Sequence, residues 1–252
     1  MFEPSAYLSE FHHRLLGLDT PLQRSAVFLA EVVEVAPEMA APLFSEICRR
    51  PVLTRAPEDI VVAEAAFLSL VNSQWPVEHL QHTREAAAYV ENAVTLAFLV
   101  QTQTVDTSSD SFQIPKYTSD RVLTLGERKS LASRPSRHTL EKAMMDPHPD
   151  VAQKLLANPR LTEDDVVRIA AKSTVAPSVL CQIAASPRWR RQKIVQKALV
   201  HNRLLPADFA ITLIPFLEHR VMADVARDAR LDETVQWAAQ VLLASIEPAT
   251  DT

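Results

Sequence analysis

Glycine is scarce in this chain of 252 residues, which contains only Gly17 and Gly126. An average usage of about 7% would give roughly 18 glycines. Loops that bind phosphates or dinucleotides need several glycines close together, because their backbone amides must approach the ligand. The tight turns of β-hairpins need residues that accept positive φ angles. The low glycine count therefore excludes nucleotide-binding fingerprints and a hairpin-rich fold.

Cysteines and long apolar runs are scarce as well. Cys48 and Cys181 stand alone, so the sequence supports neither a disulfide framework nor a zinc site, and we expect both to be buried as small hydrophobes. No apolar run reaches the roughly 18 residues that a membrane span needs, and the N-terminus "MFEPSAYLSEFHHRLLGLDT" lacks the basic start of a signal peptide. We expect a cytoplasmic chain with no membrane partner, no metal and no cofactor.

Proline is abundant, and its 17 copies fall mostly between segments with helical apolar spacing, where proline marks helix starts. This pattern predicts an all-α fold. Residues 1–103 form an N-terminal helical region, either a bundle or degenerate repeats. Residues 104–120 are rich in Ser, Thr and Asp and are predicted to be a linker or mobile loop. Residues 121–247 are predicted to be helical repeats.

An internal repeat defines this last region. The segments "TLGERKSLASRPSRHTLEKAMMDP", "TEDDVVRIAAKSTVAPSVLCQIAASP" and "PADFAITLIPFLEHRVMADVARDA" align with one another, at a period of about 40–44 residues. A further helical segment follows each of them: "PDVAQKLLAN", "RQKIVQKALVHN" and "ETVQWAAQVLL". The apolar positions that the alignment makes equivalent are Leu131/Ile169/Leu213, Ala132/Ala170/Ile214, Leu140/Leu180/Met222, Ala143/Ile183/Val225, Val151/Val195/Val235 and Leu155/Leu199/Ala239.

Helices of about ten residues are too short to be stable alone, so each must bury its apolar stripe against neighbours. Short helices at this period are typical of an α-solenoid of the HEAT or armadillo kind. With its steps Asn158-Pro159 and Ser186-Pro187, the run from Thr124 to Leu243 resembles bacterial HEAT-like repeats and the leucine-rich repeat variant family. The resemblance implies a fold but no shared catalytic residues. The variant family can carry an iron–sulfur cluster on a cysteine-rich segment, which this chain lacks, so we expect no cluster.

The tripeptide His148-Pro149-Asp150 is the stretch that most suggests catalysis. It falls in a turn between two repeat helices, and we interpret it as a helix start in which Asp150 occupies the first turn. His79 and His82 lie three residues apart, on one helical face, but lack a third metal ligand. No nucleophile with a nearby base can be identified, so we do not expect an enzyme.

Charge is unevenly distributed. Residues 1–120 carry a net charge of −9, residues 121–200 carry +8 and residues 201–252 carry −4. The densest cluster is "PRWRRQKIVQK", and its cations are the candidate partner-binding residues: Arg188, Arg190, Arg191, Lys193 and Lys197. Trp189 aligns with Leu231, which favours a buried ring. The cluster could meet an acidic protein, phosphates with base stacking, or the acidic N-terminal half of the chain itself.

These observations favour a non-enzymatic scaffold or adaptor that binds a protein partner through its repeats, and the basic cluster would suit an acidic surface on that partner. The alternative is a nucleic-acid-binding HEAT-like protein that uses the basic patch between Arg188 and Lys197. The HEAT-like alkylpurine DNA glycosylases resemble the chain in architecture only. An acidic chain repels a polyanion at long range, so we do not expect nucleic acid to be the partner. The partner's identity and the oligomeric state stay open.

The alignment predicts that Ile183 is a core residue, because its equivalents Ala143 and Val225 are also apolar. Replacing it by alanine, Ile183→Ala, should therefore cost about 2–4 kcal/mol of stability. Thermal unfolding followed by circular dichroism measures this cost. An unchanged melting temperature would show that the register of the repeat is wrong.

Overall fold

A computed structural model describes residues 3–72, 75–99, 114–117 and 121–247 of the chain. Within these ranges the regular structure consists of fifteen α-helices and one 3-10 helix, with no strand, which confirms the all-α prediction. Six helices begin with a proline at their first position, as expected from its fixed φ angle and missing amide hydrogen. These residues are Pro4, Pro21, Pro37, Pro57, Pro149 and Pro177.

The chain folds into two compact units. One comprises Met1–Gln103 with Ile211–Thr252, and the other comprises Thr104–Ala210. The predicted repeat region, 121–247, is thus divided after Ala210. The third aligned segment contributes to the unit that also contains the N-terminal helices.

The first unit is built around a buried helix. Its elements are α1 (Pro4–Leu16), α2 (Pro21–Val32), α3 (Pro37–Thr54), α4 (Pro57–Val71), α5 (Val77–Tyr89), α6 (Ala93–Phe98), the 3-10 helix Ile214–Phe216, α14 (His219–Arg227) and α15 (Glu233–Ile246). Helix α4 is buried on nearly every side, with α1, α2 and α3 packed against it, while α15 packs on α6 and α3. The core is rich in aromatic rings, and Phe44 makes edge-on contacts with Phe67 and Trp75.

A buried carboxylate connects three helices of this unit. Asp59 on α4 accepts hydrogen bonds from Arg50 Nε at 2.8 Å and Thr54 Oγ1 at 2.6 Å, both on α3. His12 Nε2 on α1 lies 3.1 Å from the same carboxylate. A buried charge is costly unless it is paired, and the two hydrogen bonds from α3 give the Asp59 carboxylate its partners.

The second unit contains short helices in groups of three. They are α7 (Leu125–Ala132), α8 (Arg137–Ala143), α9 (Pro149–Leu156), α10 (Glu163–Ala170), α11 (Pro177–Ala185) and α12 (Lys193–Val200), followed by α13 (Ala207–Ile211) at the boundary between the units in sequence. We call α7–α9 the first triplet and α10–α12 the second triplet. In each triplet the first helix packs on the third.

The two triplets begin with the same local device. Thr124 and Thr162 each accept a hydrogen bond from the backbone amide three residues later, and the side chain at that position bonds back to the threonine amide. This capping box satisfies two of the backbone amides that a helix start leaves without partners. The device explains why α7 and α10 begin where they do.

The two triplets also end with the same hydrogen bonds. The side-chain amide of Asn158 donates to the carbonyls of Ala132 and Arg134, at 2.8 and 2.9 Å. That of Asn202 donates to the carbonyls of Ala170 and Lys172, at 2.6 and 2.9 Å. Each asparagine thereby fastens the end of the third helix to the end of the first. A helix end leaves four carbonyls without intrahelical partners, and these bonds satisfy part of that requirement.

Burial agrees with the alignment at nearly every equivalent position. All of the aligned apolar residues are buried except Leu131, which is half-buried, and Ile183 is fully enclosed. The expected burial of both cysteines is confirmed. Desolvation raises the pKa of the Cys181 thiol to about 12 and raises that of Cys48 well above its ordinary value.

One apolar run of the N-terminal helical region contains two helices. Within "VEHLQHTREAAAYVENAVTLAFLV", α5 ends at Tyr89 and α6 begins at Ala93. Glu91 has a left-handed φ of 54°, and the amide of Asn92 donates to the carbonyl of Ala87 at 2.8 Å. This is the C-terminal motif that glycine usually completes, and Glu91 takes its place.

The predicted linker, 104–120, lies mostly outside the described residues. Tyr117 is described, and its hydroxyl donates to the Asp146 carboxylate at 2.8 Å. Asp146 also accepts from Arg128 Nη1, with both of its oxygens at 2.8 Å. Burial, followed by the charge of Asp146, raises the pKa of Tyr117. Tyr117 is therefore bound to the first triplet of its own unit.

The left-handed conformation of Glu91 predicts that glycine would stabilise the chain. Glu91→Gly removes the steric cost of a β-carbon at positive φ and also increases the conformational freedom of the unfolded chain. The first effect is the larger, so we expect the free energy of unfolding to rise by about 0.5–1 kcal/mol. Urea unfolding measures it. Ala88→Gly, at an exposed helical position, is the matched control and should cost about 1 kcal/mol. A loss of stability in Glu91→Gly would contradict this account of the helix end.

Candidate functional site

The basic cluster predicted from the sequence is only partly at the surface. Arg188 and Arg191 are exposed in the turn before α12, and Lys193 and Lys197 are exposed on α12 itself. Arg190 differs, because only 2% of it is accessible to solvent. Its own carbonyl accepts a hydrogen bond from the Gln196 side chain at 2.7 Å. Four of the five predicted partner-binding residues are thus accessible to a partner, and Arg190 is enclosed.

Trp189 lies inside the protein, as its alignment with Leu231 predicts. It is 2% exposed, and its indole Nε1 donates to the carbonyl of Leu156 at 2.8 Å. The guanidinium carbon of Arg188 lies 4.1 Å from the centre of the indole ring, in a cation–π contact. Arg188 also donates to the carbonyls of Asn158 and Leu161, so its side chain is held against its own unit. The ring is therefore not available for stacking on a ligand.

The tripeptide His148-Pro149-Asp150 is a helix start, as interpreted from the sequence. His148 is the N-cap of α9, and its Nδ1 accepts a hydrogen bond from the amide of Asp150 at 3.1 Å. Asp150 stands in the first turn of α9 and pairs with Lys129 Nζ on α7 at 2.9 Å. The hydrogen bond from Lys129 lowers the pKa of Asp150. These polar contacts of the tripeptide thus serve to begin α9 and to attach it to α7.

The other candidate groups are dispersed. His79 packs against the Trp75 ring with the ring centres 5.9 Å apart, and burial lowers its pKa, while His82 is exposed. Across 3–72, 75–99, 114–117 and 121–247, no three His, Cys, Asp or Glu residues lie together in a way that could hold a metal ion. Over those same ranges, no helix combines the length and apolar character of a membrane span.

A groove that the sequence did not reveal lies between α10 and α12. Its cavity volume is about 360 Å³, and Ile194 on its α12 side is 60% exposed to solvent. The lining is mostly apolar and consists of Val167, Ala171, Ile194, Lys197, Ala198, His201 and Asn202. The signal that could have revealed it is Ile194 itself, because the aligned positions in the neighbouring segments hold Asp150 and Thr234.

The first triplet shows how the same place can be occupied by charge. In the repeat alignment, Val167 is equivalent to Lys129 and Ile194 is equivalent to Asp150. In the first triplet these positions form the Lys129–Asp150 ion pair between α7 and α9. In the second triplet both members are apolar and line an open groove. The chain therefore exposes apolar surface at a position where equivalent helices accommodate an ion pair.

A buried carboxylate fixes the α10 wall of this groove. Asp165 is 1% exposed and accepts two hydrogen bonds from the Arg137 guanidinium, both at 2.7 Å. It also accepts from the amide of Thr162 and from Arg168. The Arg137 guanidinium is the main cause that holds the pKa of Asp165 far below its usual range. Asn202 fixes the other wall by fastening the end of α12 to α10.

The polar groups of the groove are cationic or neutral. Lys197 is exposed and forms no ion pair with any residue in the described part of the chain. His201 Nδ1 lies 2.9 Å from the carbonyl of Lys197. No carboxylate belongs to the lining. The groove can thus receive an aliphatic side chain next to a negatively charged one.

In comparisons with known proteins, no family model, no curated protein and no solved structure is significantly similar to the chain.

The lowered pKa of Asp165 predicts a pH dependence of stability. A carboxylate whose pKa is depressed in the folded state stabilises the fold above its unfolded pKa of about 4, and this contribution is lost as the pH falls. Asp165→Asn should therefore lower stability at pH 7 and lose less between pH 7 and pH 3 than the wild-type chain. Urea unfolding at both pH values measures this. Asp164→Asn, at the exposed neighbouring position, is the matched control, and equal pH dependence in all three chains would contradict the assignment.

Proposed function

We propose that the chain is a non-enzymatic HEAT-like α-solenoid that acts as a scaffold or adaptor and binds an acidic protein partner through the second triplet. The observation that carries this proposal is the exposed positive charge of Arg191, Lys193 and Lys197 around a buried Trp189. Such a surface offers charge complementarity to carboxylates without an exposed aromatic ring for base stacking.

The recurring helix ends support the solenoid part of the proposal. Capping boxes at Thr124 and Thr162 and amide bonds from Asn158 and Asn202 occur at equivalent places in the two triplets. Solenoids are built from units that contact their neighbours in a repeated way. We extend this pattern to α13–α15, whose aligned apolar positions are buried as well.

The positive charge of residues 121–200 is not cancelled within the region. Five of its seven carboxylates already pair with cations of the same unit, and these acids are Glu127, Glu141, Asp146, Asp150 and Asp165. Even if every carboxylate of residues 121–200 paired with a cation of the region, a net charge of +8 would remain. A partner with acidic surface residues would lower the repulsion among them.

A nucleic-acid partner is the second candidate, and it is less well supported. Binding to a duplex relies on many phosphate contacts along the backbone. The exposed cations of this cluster occupy one turn and one helix of eight residues, which is about 12 Å long. The chain as a whole carries a net charge of −5, which repels a polyanion at long range.

Charge reversal at two exposed positions tests the proposal. Wild-type chain and the double variant Arg191→Glu/Lys193→Glu serve as baits for pull-downs from the native host, quantified by mass spectrometry. We expect acidic proteins that the wild-type chain retains and the double variant loses. Lys154→Glu/Arg160→Glu makes the same charge change at exposed positions around the first triplet and should retain them. Arg190 is left intact, because reversing a buried charge would test folding instead of binding.

Fluorescence anisotropy with labelled duplex and single-stranded oligonucleotides at about 150 mM salt, the physiological screening regime, separates the two candidates. We expect negligible binding. Submicromolar affinity that is lost in Arg191→Glu/Lys193→Glu, and that falls with salt at a slope near −0.9 per neutralised phosphate for duplex DNA, would establish the nucleic-acid function instead.

A further inference from the structure

We propose that the groove between α10 and α12 is the docking site for a short acidic amphipathic helix of the protein partner. In this arrangement an aliphatic side chain of the partner inserts between Val167 and Ile194, and a neighbouring carboxylate meets Lys197. The inference rests on the proposed function and names the site and the chemistry of the ligand.

The exposed apolar surface is the first argument. Ile194 is 60% exposed, and it lies beside Val167 and Ala198 in the lining of the groove. Exposed apolar surface in a concave place is typical of interaction sites, because its removal from water favours binding. A groove between two helices is also a common receptor for the apolar face of a third helix.

Comparison with the first triplet shows that the fold does not require an apolar residue at the position of Ile194. The equivalents of Val167 and Ile194 there are Lys129 and Asp150, which form an ion pair, and the residue of α15 that aligns with Ile194 is Thr234. The three aligned helices therefore differ at this position while their buried positions stay apolar. The fold does not require isoleucine there, so its apolar surface is available for binding.

Charge complementarity identifies the ligand as acidic. Lys197 is the one lysine or arginine of the lining, and Lys193 is exposed one turn earlier on the same helix. The lining contains no carboxylate, and Glu163, one turn before Val167 on α10, lies outside it. A carboxylate on the partner would gain a cation here, whereas a lysine or arginine would meet a like charge.

The length of the groove sets the size of the ligand. Its walls are two helices of eight residues, each about 12 Å long. Two to three turns of a partner helix match this length, with apolar anchors spaced three and four residues apart. A segment of about twelve residues, which is roughly three helical turns, is therefore sufficient to fill the groove.

Selection of a displayed peptide library on the full wild-type chain tests the inference. The library contains random peptides of about twelve residues, which is the length of roughly three helical turns. The comparison protein is Val167→Lys/Ile194→Asp, which installs in the second triplet the ion pair that the first triplet already has. We expect selected peptides to be enriched in Asp or Glu together with Leu, Ile or Phe. Synthetic versions of them should bind the double variant at least about tenfold more weakly, because the apolar insertion is lost.

Circular dichroism verifies that the double variant folds, and Ile194→Gln replaces it if it does not. Acidic peptides that lose affinity for Arg191→Glu/Lys193→Glu but not for Val167→Lys/Ile194→Asp would overturn the groove and leave the proposed function in place. An absence of enrichment, or enrichment of basic peptides, would also overturn the groove. The pull-down from the native host then decides the proposed function on its own.

Discussion

The second unit depends on one constraint, which is that its helices are too short to stand alone. Helices of eight residues leave nearly all of their terminal amides and carbonyls without intrahelical partners, and helix nucleation is unfavourable at this length. Asn158 and Asn202 supply part of the missing hydrogen bonds, because the side-chain amide of each donates to two carbonyls at the end of another helix of its triplet. The helices of a triplet therefore depend on one another to satisfy their ends.

This constraint also separates the positions that carry the fold from those that can carry function. The buried positions, such as Val151 and Val195, must remain apolar, and the asparagines must remain in place to satisfy the helix ends. The outward positions of the first and third helices are under no such demand. One triplet uses them for the Lys129–Asp150 ion pair, while the other leaves Ile194 exposed in a groove. Variation at these positions alters the surface and leaves the packing intact.

Features that depend on local sequence could be predicted, and features that depend on tertiary neighbours could not. The helix start at His148 and the cap at Thr162 follow from a few adjacent residues, and the repeat period places Ile183 in the core. By contrast, nothing near Glu91 indicates a left-handed residue, since glycine is the usual signal. Arg190 has the same charge as its neighbours, and only the folded chain shows it enclosed. The groove requires two helices that are distant in sequence to become neighbours.

The buried carboxylates of both units are used to hold helices together. Asp59, Asp146 and Asp165 are buried, and each accepts hydrogen bonds from an arginine of its own unit. Arginine is suited to this role, because its planar guanidinium can meet both oxygens of a carboxylate while remaining charged. These three acids are committed to joining helices, since removing the arginine would leave a buried carboxylate without that partner. Around the groove the arrangement differs, because Lys197 faces solvent beside the exposed Ile194 and no carboxylate belongs to the lining.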